Sequence, residues 1–153
     1  MKIQMKVVAG FIAGVLVTYL LGTIFISQGN IAAVTNMGFE ITFAQRFGAM
    51  IHDITHMYDI YLPVVFVAML IALSVAGGII RFLPNQRLIG YLSAGFVGMI
   101  AVHVIVKVTL GASGIAPTRE LAGLVLQGIA GGLGGLAFHY VSQKIVTAPA
   151  AAI

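Results

Sequence analysis

The chain has 153 residues, of which 60% are hydrophobic and only 8% charged, and its mean hydropathy is strongly positive. A water-soluble domain carries about 25% charged residues, and a core of this size cannot hide so much apolar surface, so the surrounding solvent is lipid. The formal charge of +4 comes from Lys and Arg dispersed singly, without a basic patch, which argues against a nucleic-acid partner, and the lack of cysteine excludes disulfides, thiolate metal sites and thiol catalysis.

A spanning helix needs about 20 mostly apolar residues. The first such run, 7–26, follows Lys2 and Lys6. It is longer than a signal-peptide core of about 7–15 residues, and Ser27-Gln28-Gly29-Asn30 behind it offers no small-x-small cleavage site, so it reads as a retained signal anchor. In the next segment, 42–59, Phe43, Phe47, Met50, Ile54, Met57 and Tyr61 recur at helical spacing, while Gln45, Arg46, Ala49, His52, Asp53, His56 and Asp59 take the other face. That pattern predicts an amphipathic helix on the outer membrane surface, or one that extends the second span into water.

The second span is 61–80, with Pro63 in its first turn, where proline is best tolerated. Leu83-Pro84-Asn85-Gln86 predicts a tight turn into the third span, 88–110. Gly111 to Thr118 then combines a helix-ending glycine with Thr118 as a candidate N-cap, and Glu120 suits the first turn of the fourth span, 121–146. A short tail, 147–153, completes the chain. The fold predicted is an all-α integral membrane protein in one domain: a four-transmembrane-helix antiparallel bundle with an extracytoplasmic amphipathic helix between helices 1 and 2. Lys2, Lys6, Arg81, Arg87 and Lys144 share one side of such a bundle. Because cytoplasmic loops are enriched in Lys and Arg, both termini are expected in the cytoplasm, with the bacterial inner membrane as the location.

Small residues at helical spacing run through every span. Gly128, Gly131, Gly132 and Gly135 form a stripe with two overlapping GxxxG patterns; Gly90, Ala94 and Gly98 lie in the third span, Ala68, Ala72 and Ala76 in the second, and Gly10 and Gly14 in the first. Such residues let backbones approach, and packing drives helix association in lipid. The Gly-Gly-Leu-Gly-Gly run has neither the flanking strand nor the Lys-Ser/Thr of a phosphate loop.

The residues most suggestive of chemistry are histidines. His52, His56 and Asp59 stand at i, i+4 and i+7, a spacing that could offer two imidazoles and a carboxylate to a divalent metal, with His103 as a further outer-side ligand. The competing reading is the wet face of an amphipathic helix for the first three and a hydrogen bond to a neighbouring helix for His103. Lys107 is expected to snorkel outward, and Gln127 to bond another helix. A haem shared by His103 and His139 would require similar depths, and helix-rise arithmetic separates them by about 10 Å.

No catalytic constellation emerges. The function expected is that of a non-catalytic membrane protein acting through helix packing, as a homo-oligomer or a small accessory subunit of a larger membrane complex, with the lipid bilayer and membrane-protein subunits as partners and no cofactor. The alternatives are a metal- or haem-binding redox protein using the outer-side histidines, and a small oligomeric transporter or channel with His103, Lys107 and Gln127 along a polar path.

Overall fold

The computed structural model describes residues 2–111 and 115–144. The tail expected over 147–153, and the last two residues of the fourth predicted span, lie outside them. The first apolar run contains no proline, and nothing stops the helix at its end: α1 runs from Lys2 to Asn36. At 1.5 Å per residue it is about 52 Å long, well beyond a hydrocarbon layer of roughly 30 Å. The span predicted at 7–26 is therefore part of a longer helix. Ser27 is buried, and a Cβ added at Gly29 would come within 2.9 Å of Pro117, so two of the four residues that resemble a helix end are packed positions, while Asn30 is exposed.

α2, Phe43–His56, folds back along the far half of α1. Its start is fixed by a reciprocal cap, in which the Gln45 N–H donates to Thr42 Oγ1 at 3.3 Å and the Thr42 N–H donates to Gln45 Oε1 at 2.8 Å. Arg46 Nη2 donates to Thr35 Oγ1 at 3.3 Å, and the Tyr19 hydroxyl donates to the Ile54 carbonyl at 2.6 Å, so α2 is antiparallel to α1. Of its predicted apolar face, Met50, Ile54 and Met57 are half-buried, whereas Phe43 and Phe47 stay exposed. Exposed rings on such a helix suit the lipid–water boundary.

Residues 57–60 interrupt the helix, and the chain resumes as α3, Tyr61–Ile80. The Tyr61 N–H still donates to the Met57 carbonyl at 2.8 Å, which makes α2 and α3 two pieces of one descent. A turn closed by Phe82 and Leu83 on the Ile79 and Ile80 carbonyls, then a 3-10 turn at Pro84–Gln86, leads into α4, Arg87–Leu110. Gly111 ends α4 in the left-handed conformation, φ +67°, where the absence of a Cβ removes the steric penalty.

A second 3-10 turn, Ala116–Arg119, precedes α5, Leu121–Lys144. Thr118 does not cap α5 as expected. It is buried, and its hydroxyl donates back to the Ile115 carbonyl at 2.8 Å. Glu120 stands one residue ahead of α5 in an extended conformation, still at the positive end of the helix dipole.

α5 is wedged between α1 and α4, and α3 packs on α4 and closes onto α1, giving the ring order α1, α5, α4, α3. The protein is an all-α tetraspan bundle: α1, α3, α4 and α5 are each long and apolar enough to cross a membrane, and no strand occurs among the described residues. Backbone proximity sets the packing. A Cβ on Gly131 would collide with the Gly95 carbonyl and one on Gly135 with that of Tyr91, while Gly128 and Gly132 face Phe96 and Leu92. On the other side, a Cβ on Gly14 would sit 2.9 Å from the Gly134 carbonyl oxygen and one on Gly10 3.1 Å from that of Phe138. Gly98 faces Ala72, and Gly90 faces Ile80. Every glycine of the predicted packing stripes thus lies against a neighbouring helix of the same chain.

The meeting of Gly10 with Ser142 places the start of α1 and the end of α5 at one end of the bundle. That end carries Lys2, Lys6, Arg81, Arg87 and Lys144 and no acid; all four acids, with Arg46, Lys107 and Arg119, belong to the other end.

Candidate functional site

One layer of the bundle is polar, and it lies at the depth where α2 gives way to α3. Tyr61, the first residue of α3, is 1% exposed, with its ring between that of Tyr19 (centroids 5.9 Å apart) and that of His103 (6.3 Å, interplanar angle 13°). Its hydroxyl donates to Gln127 Oε1, and Gln127 Nε2 donates to the Gly22 carbonyl at 3.1 Å. Gly22 is required here because a Cβ would overlap the Tyr61 hydroxyl. A side chain from α3 and one from α5 are thereby tied to the backbone of α1, with His103 of α4 stacked alongside.

The interruption of α2 explains part of this layer. The last carbonyls of a helix have no partner within it. Ile54 belongs to that last turn, and the Tyr19 hydroxyl takes the place of the missing donor. Tyr19, Thr23 and Ser27 stand four residues apart on α1 and so share a face. Thr23 and Ser27 are 0% and 1% exposed; Thr23 Oγ1, Ser27 Oγ and His103 Nε2 are buried without a hydrogen-bond partner among the described residues. Buried polar atoms are normally paired, often by ordered water, so these three hold unused hydrogen-bonding capacity in the middle of the protein.

The histidines expected on the outer side separate into unlike environments. His52 and His56 lie on the exposed face of α2 with rings stacked at 4.0 Å, and His56 Nδ1 is 2.8 Å from the His52 carbonyl oxygen. Asp59 falls beyond the end of α2, in the 57–60 interruption, so the helical face on which the i+7 spacing depended ends at His56. The acid beside His52 is instead Asp53, at 3.6 Å. His103 is enclosed in the bundle rather than joined to them. Among the described residues no three His, Asp or Glu side chains gather in a way that would hold a metal. His103 lies at the level of Gln127, twelve residues or about 18 Å along α5 from His139, so those two imidazoles do not face one haem. Lys107 is exposed in the last turn of α4 and takes no part in the polar layer.

At the basic end, Arg87 Nη2 donates to Ser142 Oγ at 2.9 Å, Ser142 Oγ donates to the His139 carbonyl at 3.1 Å, and the Arg87 guanidinium lies 5.8 Å from the centroid of the Tyr91 ring. Tyr91 also meets Phe138 edge-on at 4.6 Å. These contacts fix the start of α4 to the end of α5.

Sequence reasoning missed Tyr19, Gly22, Tyr61 and Gly95. The signal for Gly95 was present as the four-residue spacing Tyr91, Gly95, Met99, His103, the buried stripe of α4. Comparison with protein-family models, with curated proteins and with solved structures finds no match.

Proposed function

We propose that this is a non-catalytic integral membrane protein that acts through helix packing, as a homo-oligomer or a small accessory subunit of a larger complex, in a bacterial inner membrane with both termini in the cytoplasm. The observation that carries this reading is a groove of about 540 Å³ between α3 and α4, open to the outside of the bundle. Ala68, Ala72 and Ala76 line one wall and Ala94, Gly98 and Ala101 the other. Small residues of this kind admit the backbone of a further helix. The glycines of α1 and α5 are occupied by contacts within the chain, which leaves the α3–α4 face as the packing surface still open. The concentration of cations at the end where α1 starts and α5 stops supports the cytoplasmic assignment. Gentle extraction followed by native mass measurement tests the reading. A mass above that of the 16.0 kDa chain is expected, and a monodisperse monomer with nothing bound counts against it.

A second reading, a small oligomeric transporter or channel, draws on the buried unpartnered Thr23, Ser27 and His103. It predicts solute or proton flux in proteoliposomes that falls in His103→Ala; proteoliposomes no leakier than protein-free vesicles count against it.

A further inference from the structure

At the basic end α1 and α3 part company. Phe11 and Phe66 meet edge-on at 5.2 Å, and beyond them the two helices leave a cleft of about 780 Å³ between them. Its walls include Val7, Val8, Gly77 and Gly78, with Tyr91 and Phe138 behind them and Arg81 and Arg87 among its lining residues. The lining is mostly apolar, and the two arginines stand at the end of α3 and the start of α4.

Three features identify the occupant. Neither arginine is paired with a carboxylate among the described residues, where the sole ion pair is His52 with Asp53. Arg87 Nε is buried without a partner, although Nη2 of the same guanidinium is held by Ser142. None of the four Asp and Glu side chains lies at that end to neutralise them, and a second copy brought there would add its own cations. Basic pockets between spanning helices at a membrane surface recognise acidic headgroups. We propose that the α1–α3 cleft binds an anionic phospholipid, with an acyl chain between α1 and α3 and its phosphodiester on Arg81 and Arg87.

Native mass spectrometry of the delipidated full chain tests this by titration with phosphatidylglycerol and with phosphatidylcholine of the same acyl chains. Phosphatidylglycerol is expected to bind more tightly, with Arg81→Gln and Arg87→Gln each reducing its affinity about fivefold and leaving phosphatidylcholine unchanged. Among the described residues Arg81 makes no side-chain hydrogen bond, so Arg81→Gln keeps the test informative if Arg87→Gln, which also releases Ser142, fails to fold. Gly78 has open space where a Cβ would stand, and Gly78→Leu is expected to fill the cleft and displace the lipid while both arginines remain. Equal binding of the two lipids would overturn the proposal. So would unchanged preference in Arg81→Gln, an equal loss in Arg46→Gln/Arg119→Gln at the opposite end, or full competition by soluble glycerophosphoglycerol, which would assign the site to a free phosphate ester.

Discussion

The Tyr19 hydroxyl sits 2.6 Å from the carbonyl oxygen of Ile54, joining the middle of α1 to the last turn of α2. This contact ties the last turn before the interruption to the buried face of α1, since Tyr19 is 6% exposed and also faces Tyr61, whereas Tyr58 and Ile60 of the interruption itself stay exposed. A helix end is stabilised where a side chain supplies the hydrogen bond that its last carbonyls lack. Tyr19→Phe is therefore expected to destabilise the protein by about 1–2 kcal/mol. Hydrogen exchange would show faster opening of residues 54–61 than of α5; uniform or unchanged exchange would separate Tyr19 from the interruption.

Gln127 links Tyr61 to the Gly22 carbonyl, so the two side chains should act as one unit. Gln127→Leu is expected to cost about 0.5–2 kcal/mol, in the range found for polar contacts between membrane helices. Adding Tyr61→Phe to that variant should change stability little. A double-mutant cycle by thermal unfolding in detergent reads the coupling, and full additivity would contradict the linkage.

Close backbone approach makes a third, positional prediction. Gly131→Val places bulk against the Gly95 carbonyl and Met99 and should destabilise by about 1–3 kcal/mol or more. Gly48 on α2 has open space around it, and Gly48→Ala should be neutral or stabilising by up to about 1 kcal/mol. Thermal melts of both variants check the contrast; equal effects would mean that α4 and α5 are not in glycine-mediated contact.

The histidines carry a spectroscopic prediction. With His103 enclosed and Asp59 beyond the end of α2, the exposed His52–His56 pair is left as a weak bidentate ligand. The purified protein is expected to show no haem absorption and no stoichiometric metal, and His52→Ala/His56→Ala to leave its mass and stability unchanged. A coloured preparation, or bound metal lost in that variant, would restore the redox alternative.

The spans were readable because membrane segments are written in composition, and lipid leaves little choice but helix. The amphipathic helix was readable from the helical spacing of its apolar residues, whereas its cap, although present as T-x-x-Q at Thr42 and Gln45, emerged only with the structure. The overrun of α1 was not readable, because Ser27, Gln28 and Asn30 resemble a helix end until Pro117 is known to cover Gly29. The polar layer was half readable. His103 and Gln127 stand out in apolar runs, but Tyr61 reads as one more residue of the amphipathic segment's apolar face and Tyr19 as part of an apolar span, and their partners lie 66 and 35 residues away in sequence. The i+7 relation of Asp59 failed because the helix ends three residues too early, at a point that no proline or glycine marks.

The absence of cysteine makes the docking claim directly testable, since one engineered thiol is the only thiol. Val75 and Val97, 58% and 60% exposed, line the α3–α4 groove, whereas Leu16 and Leu133, 49% and 41% exposed, do not. A thiol-anchored photocrosslinker would be placed at each position in turn in intact membranes. An adduct of one defined higher mass is expected from Val75→Cys and Val97→Cys and none from Leu16→Cys or Leu133→Cys. No adduct from the groove positions, or the same adducts from all four, would contradict the docking claim.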